Sequence, residues 1–184
     1  MRYVYLIVLI GGLSCKPTPR QEQGGSADTV FHSVVDTADR FSSDSIAKAI
    51  NTDSTQGERM VAFAKTLIGK PYVYGCKAPA TGFDCSGFIN YVFDHFNIAV
   101  PRSSVDFTNA GTTMPLAQAR AGDLILFTGT NPSIRTVGHI GMIVTNDGSG
   151  TTFIHASSGK EMAVTITPLN ERYKVRFVKV VRIQ

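Results

Sequence analysis

The sequence is poor in charge and in cysteine, and it has no long apolar run. Only 17% of its 184 residues are Asp, Glu, Lys or Arg, against 43% hydrophobic. A soluble domain averages about 25% charged residues, so most of this chain has a core to bury and wholesale disorder is excluded. The cations are scattered: 18 Lys and Arg face 14 Asp and Glu, for a net charge of +4. No nucleic-acid-binding stripe is therefore expected. The longest apolar run, residues 3–10, is far short of the ~20 residues that a membrane-spanning helix requires. The three cysteines, Cys15, Cys76 and Cys85, are too few for a disulfide scaffold and are not spaced as paired zinc knuckles. No internal repeat is present, and 184 residues hold one domain plus a leader.

The leader is at the start. Met1-Arg2 precedes the apolar run, and Gly11-Gly12-Leu13-Ser14-Cys15 follows it, which is the anatomy of an export signal. The small residues before Cys15 resemble the lipobox of bacterial lipoproteins. The expectation is a signal peptide over residues 1–14 and lipidation of Cys15, with ordinary secretion or an uncleaved anchor as the alternatives. Residues 16–29 are almost wholly Pro, Gln, Gly, Ser and charge, a composition that cannot offset its ordering entropy by burial. Residues 15–56 are read as a lipidated polar tether. Within it, Val30, Phe31, Val34, Val35, Ala38 and Phe41 recur at the spacing of a short amphipathic helix.

Thr55-Gln56-Gly57-Glu58 has the capping-box pattern ahead of Met60, Val61, Ala64, Leu67 and Ile68, which predicts a helix over residues 57–68. A second helical stripe, Phe88, Ile89, Val92, Phe93 and Phe96, begins just after Asp84-Cys85. Asp84 or Cys85 is then at its N-cap. A thiol at a helix N-terminus sits where unpaired N–H groups favour an anion, so Cys85 is expected to have a lowered pKa. A lone free cysteine is more often a small buried hydrophobe. What changes the balance is the supply of bases downstream. Leu124-Ile125-Leu126-Phe127 reads as a buried strand, and Gly138-His139-Ile140-Gly141-Met142-Ile143-Val144 as a second. The two-residue period puts His139, Gly141 and Ile143 on one face. A turn over residues 146–150 leads to Thr152-Phe153-Ile154-His155-Ala156, which places two histidines on adjoining hairpin strands. Residues 173–183 alternate well enough for a last strand, with Arg176 and Arg182 on a solvated face. Helices followed by strands predict an α+β fold with N-terminal helices packed on a central antiparallel sheet.

From about Gly57 to Gln184 the sequence resembles the NlpC-type papain-like cysteine peptidases of bacterial cell walls. The resemblance is carried by Pro71-Tyr72-Val73-Tyr74-Gly75, Asp84-Cys85-Ser86-Gly87-Phe88, Pro101-Arg102-Ser103-Ser104, Gly122-Asp123-Leu124-Ile125-Leu126-Phe127, Val137-Gly138-His139-Ile140-Gly141 and Phe153-Ile154-His155-Ala156-Ser157. It implies a papain-like domain over residues 57–184 with Cys85 as nucleophile, His139 as base and His155 orienting that base. It places Tyr72 at the oxyanion side of the cleft, and Asp84 and Ser86 against the substrate peptide. Cys76 departs from the family, where a second glycine is usual.

The residue chemistry gives the same division of labour. Acyl transfer needs a thiolate, a base able to protonate the leaving amine, and a group that fixes the base's tautomer. A Tyr72 hydroxyl and the Cys85 backbone N–H would serve the oxyanion. The implied function is hydrolysis of peptidoglycan stem peptides or crosslinks in the cell envelope, on the periplasmic side, by a membrane-anchored lipoprotein without metal or organic cofactor and without nucleic acid. Three alternatives stand beside it. One is an amidase or acyltransferase of the same fold acting on a non-murein amide. Another is a Cys76, Cys85, His139 and His155 zinc site, which the nine-residue Cys spacing disfavours. The last is a silent envelope binding module with a Cys76–Cys85 disulfide.

Overall fold

The computed structural model describes residues 55–183, within a compact unit from Ile50 to Gln184. The expected signal peptide, Cys15, the polar tether except Thr55 and Gln56, and the amphipathic segment at residues 30–41 lie outside the described residues. No helix among the described residues is long and apolar enough to cross a membrane.

Helix α1 (Gln56–Lys65) opens on the expected capping box: the Glu58 N–H donates to Thr55 Oγ1 at 3.3 Å and the Thr55 N–H to Glu58 Oε2 at 2.6 Å. It ends earlier than residue 68. Thr66, Leu67 and Ile68 donate to carbonyls three residues back, a tightened exit that runs into Gly69 at φ +84°. Leu67 stays in the core while Ile68 is exposed. A two-residue hairpin, β1 (Lys77–Ala78) with β2 (Gly82–Phe83), precedes helix α2 (Cys85–His95).

The six-stranded sheet is antiparallel throughout. Its strands are β3 (Thr112–Met114), β4 (Leu124–Thr128), β5 (Val137–Asp147), β6 (Gly150–Ala156), β7 (Val164–Pro168) and β8 (Phe177–Arg182), in the order β3-β8-β4-β5-β6-β7. Strand β4 is buried at every residue because both faces of the sheet are covered. Leu124 and Leu126 pack with Ile140, Met142 and Ile154 under the helices, against Met60, Ala64, Phe88, Ile89 and Val92. Ile125 and Phe127 point the other way, onto Ile143, Phe153, Tyr173 and Val180. Truncating a fully buried Phe88 to Ala costs about 3–5 kcal/mol in such a setting, so α2 is held by its apolar face and not by the chemistry at its tip.

The expected last strand is shorter than residues 173–183. Asn170 accepts the Tyr173 N–H and Glu171 occupies the first turn of α3 (Glu171–Lys174), so local capping converts the start of that segment into a helical turn. The arginines are not solvated ornaments. Arg182 grips the buried Asp123 through Nε–Oδ1 at 2.7 Å and Nη2–Oδ2 at 2.8 Å. Arg176 donates to the carbonyls of Gly129 and Thr128, both at 2.9 Å. Strand β3 carries no alternating apolar pattern, and long-range pairing with β8 makes it a strand, while β7 (Val-Thr-Ile-Thr-Pro) alternates and pairs with the strand before it, β6.

Candidate active site

Asp84 is the N-cap of α2. Its Oδ1 accepts the Gly87 N–H at 2.6 Å, and its Oδ2 accepts the Gly75 N–H at 2.9 Å. Arg102 closes on the same carboxylate through Nη1–Oδ1 at 3.1 Å and Nη2–Oδ2 at 2.7 Å, and also donates to Ser86 Oγ and the Gly75 carbonyl. Asn90 ties the helix to the Pro101 carbonyl, which delivers Arg102 to this position. Gly87 permits the close approach: a Cβ there would lie 2.2 Å from the Cys76 carbonyl oxygen. Cys85 therefore sits on a helix tip anchored to two separate loops, one through Gly75 and Cys76 and the other through Pro101 and Arg102.

Cys85 is a free thiol, so the Cys76–Cys85 disulfide of the binding-module alternative is not formed. Among the described residues no group of three or more His, Cys, Asp or Glu is placed to hold a metal ion, so the four-ligand zinc constellation is not assembled. The lowered thiol pKa expected from the helix terminus is overturned. Burial pushes the Cys85 thiol above its ordinary value and the neighbouring Asp84 carboxylate adds to the rise, outweighing the backbone N–H groups of Ser86, Ile140 and Cys85 that act on the sulfur. A thiolate placed in a dry pocket beside a carboxylate is disfavoured by both effects.

The β5–β6 hairpin brings the histidines together, as the two-residue period predicts. His139 Nε2 lies 2.8 Å from His155 Nδ1, with the rings edge to face at 84° and 4.9 Å between centroids. Gly141 makes room, since a Cβ there would fall 2.7 Å from the Phe153 ring and 3.3 Å from His155 Cβ. The strand neighbours of His139 reach Cys85: Gly138 lines the cleft that holds it, and the Ile140 N–H acts on its sulfur. The His139 ring itself is hydrogen-bonded to His155 rather than to the thiol. Such contacts are often loose in an empty site and tighten on substrate binding.

Both imidazoles are held neutral. Burial pushes His139 well below the usual imidazole range, and the charges of His155 and Arg176 act in the same direction. Burial and Arg176 bring His155 down to about 4. At neutral pH the site thus holds a neutral thiol and two neutral histidines.

Tyr72 is half-buried, hydrogen-bonds through its side chain to Ser158, and is raised in pKa by burial and by the nearby Cys85 and Asp84. Tyr72, Asp84, Cys85, Ser86 and Arg102 line one cleft of about 480 Å³. His139 opens instead on a polar cavity of about 190 Å³ that includes Ser157, Ser158, Glu161, Arg172 and Arg176. All six expected site residues of the domain lie around these two spaces or, for His155, directly behind His139. Three residues join the site beyond those expected: Arg102, Arg176, expected as a solvated charge, and Thr167, whose Oγ1 is 3.0 Å from His155 Nε2. His95 stacks on Phe63 at 3.7 Å between ring centroids.

Comparison with known proteins agrees with this geometry. The NlpC/P60 family model matches residues 69–182. A gamma-DL-glutamyl hydrolase of Bacillus subtilis is 34% identical over 115 residues, covering 60% of this chain and 26% of the relative. The murein DD-endopeptidase MepH of Escherichia coli is 34% identical over 109 residues, covering 58% of this chain and 38% of the relative. The crystal structure of an NlpC/P60 family protein from Bacillus cereus superposes with a TM-score of 0.61 at 28% identity, covering 70% of this chain and 40% of the other. The chain spans well under half the length of each of these. With the family match extending over most of the described domain, this chain belongs to the NlpC/P60 family.

Proposed function

We propose that this chain is an exported cysteine endopeptidase that hydrolyses amide bonds of peptidoglycan stem peptides or crosslinks, with Cys85 as nucleophile, His139 as general base and acid, and His155 as the group that orients it. The observation that carries the reading is the 2.8 Å contact between His139 Nε2 and His155 Nδ1 beside a helix-capped free thiol. Family membership and the names of the two relatives support the substrate class. Those names point to different bonds, one gamma-glutamyl and one D,D, so both remain within the proposal.

The neutral resting pair defines the order of events. As Cys85 Sγ bonds to the substrate carbonyl carbon, its proton passes to His139 Nδ1, and the charge forms on the carbonyl oxygen and the imidazole together. The Cys85 backbone N–H and the Tyr72 hydroxyl serve the oxyanion, a role worth about 2.7–4 kcal/mol per donor where it has been measured. Collapse breaks the C–N bond, His139 returns the proton to the leaving amine, and a thioester remains. Water, deprotonated by His139, then attacks the thioester and releases the carboxylic acid and the free thiol. Asp84 and Ser86 meet the peptide along the cleft, and Asp84 also fixes the helix tip.

Lipidation of Cys15 and retention at a membrane of the cell envelope are part of the same proposal, with residues 15–56 as the tether and residues 57–184 as the catalytic domain. Incubating the purified protein with muropeptides of known structure and reading product masses tests the activity. Cleavage of a stem or crosslink amide, lost in Cys85→Ala, is the expected result. Intact muropeptides, with turnover of a non-murein amide, would transfer the reading to the amidase alternative.

A further inference from the structure

The hydrogen bonds of the site do not stop at the second histidine. His139 Nε2 meets His155 Nδ1 at 2.8 Å, and His155 Nε2 meets Thr167 Oγ1 at 3.0 Å. Strand pairing makes this possible: Phe153 lies opposite Thr167 and His155 opposite Thr165, so Thr167 shares a sheet face with His155. His155 is fully buried, and both of its ring nitrogens are engaged within the protein. Thr167 also lines the polar cavity onto which His139 opens.

A neutral imidazole has one N–H and one bare nitrogen, so along such a chain the choice at one ring dictates the choice at the next. For His139 to take the Cys85 proton at Nδ1, its own proton must be on Nε2 and must be donated to His155 Nδ1. His155 then carries its proton on Nε2, and the acceptor of that proton is Thr167 Oγ1. A buried N–H without an acceptor carries the full desolvation penalty of that group. That is enough to favour the opposite tautomer of His155, whose Nδ1–H would face His139 Nε2 and force the His139 proton onto Nδ1. In that state the base has no lone pair for the thiol.

We propose that Thr167 is a positioning residue that makes the productive tautomers of both histidines available, by supplying the acceptor for the His155 Nε2–H, and acts two hydrogen bonds from the base nitrogen. The proposal rests on the assignment of Cys85, His139 and His155 made above. It concerns a residue in β7 that touches neither the nucleophile nor His139 directly.

The test compares the full chain as wild type, Thr167→Val, Thr167→Ser and Cys85→Ala. Valine keeps the branched shape and removes the acceptor; serine keeps the acceptor. Thr167→Val is expected to lower kcat about tenfold or more with KM within twofold, while Thr167→Ser stays within about threefold of wild type in both. Nitrogen-15 spectra of histidine-labelled protein supply a readout independent of turnover: His155 should carry its proton on Nε2 in wild type and Thr167→Ser, and on Nδ1 in a large fraction of Thr167→Val. Unchanged tautomers in a folded Thr167→Val, or kcat within twofold of wild type, would overturn the proposal. Full activity in Cys85→Ala would instead overturn the catalytic assignment, whatever the tautomers show.

Discussion

Arg102 holds Asp84 by a two-pronged contact, Nη1 to Oδ1 at 3.1 Å and Nη2 to Oδ2 at 2.7 Å, while the same carboxylate caps the helix that carries Cys85. The Asp84 side chain is 10% exposed and that of Arg102 43%. An acid placed next to a nucleophilic thiol is electrostatically counterproductive, because it raises the thiol's pKa. The arginine offsets this. Its charge partly cancels the field of Asp84 at the sulfur, and its planar fork fixes the carboxylate in the orientation the N-cap requires.

Removing that clamp has two consequences. Arg102→Met leaves Asp84 capped by backbone donors but without its counter-charge, and should lower stability by about 1–2 kcal/mol, the loss being moderated by the arginine's partial exposure. The thiol pKa should rise further. Denaturant midpoints and the pH dependence of Cys85 alkylation check both; alkylation unchanged from wild type would show that Arg102 is only a structural strut.

Cys85→Ala and Cys85→Ser should abolish hydrolysis while leaving the thermal midpoint within a few degrees of wild type. The thiol contributes little packing compared with the fully buried Phe88, Ile89 and Val92 on the same helix. Measured turnover in the alanine variant would sink the nucleophile assignment, and unfolding of both variants would show that the site is structurally indispensable.

His139→Ala should be about as damaging as Cys85→Ala, because without a base the resting neutral thiol has nowhere to send its proton. His155→Ala should retain residual turnover, since the orienting group matters less than the base itself. The double variant Cys85→Ala, His139→Ala should be no worse than either single one. Kinetics with the reverse ranking would exchange the two histidines' roles.

The histidine pair is legible in the sequence because it depends on local rules: a strand's two-residue period, and a turn that joins consecutive strands. The N-cap at Asp84 is legible for the same reason, as an Asp ahead of a helical stripe. Thr167 and Arg176 are not. The role of Thr167 depends on the register in which β7 pairs with β6, and that of Arg176 on the carbonyls at the end of β4, a distant segment; no periodicity announces either partner. The thiol's pKa went the other way from expectation because burial depends on the packed cleft, whereas the helix terminus is visible locally.

Lipidation of Cys15 predicts that wild type sediments with membranes after cell breakage and that Cys15→Ala does not, with muropeptide cleavage by the purified variants unchanged. A wild-type protein that is soluble and whose mature N-terminus is not Cys15 would rule out the anchor while leaving the peptidase assignment intact.

The two depressed histidines also set the pH response. His155 titrates at about 4 in the folded chain against about 6.5 when exposed, and His139 is likewise well below its ordinary value. A group with a lowered folded-state pKa takes up its proton more readily once unfolded, so its contribution to stability is complete above pH 6.5 and is lost as pH falls toward the folded value. For His155 alone the full difference is about 3 kcal/mol. The thermal midpoint should therefore fall steadily between pH 6.5 and 4, and the fall should be shallower in His155→Ala. Activity should follow a different course. The productive pair needs a neutral base and a thiol still carrying its proton, so kcat/KM should hold a broad plateau, with its acid limb below pH 6.5 and its alkaline limb above the ordinary thiol range. An acid limb at or above pH 6.5 would mean that His139 is exposed or charged in the working enzyme, contrary to its burial beside His155 and Arg176.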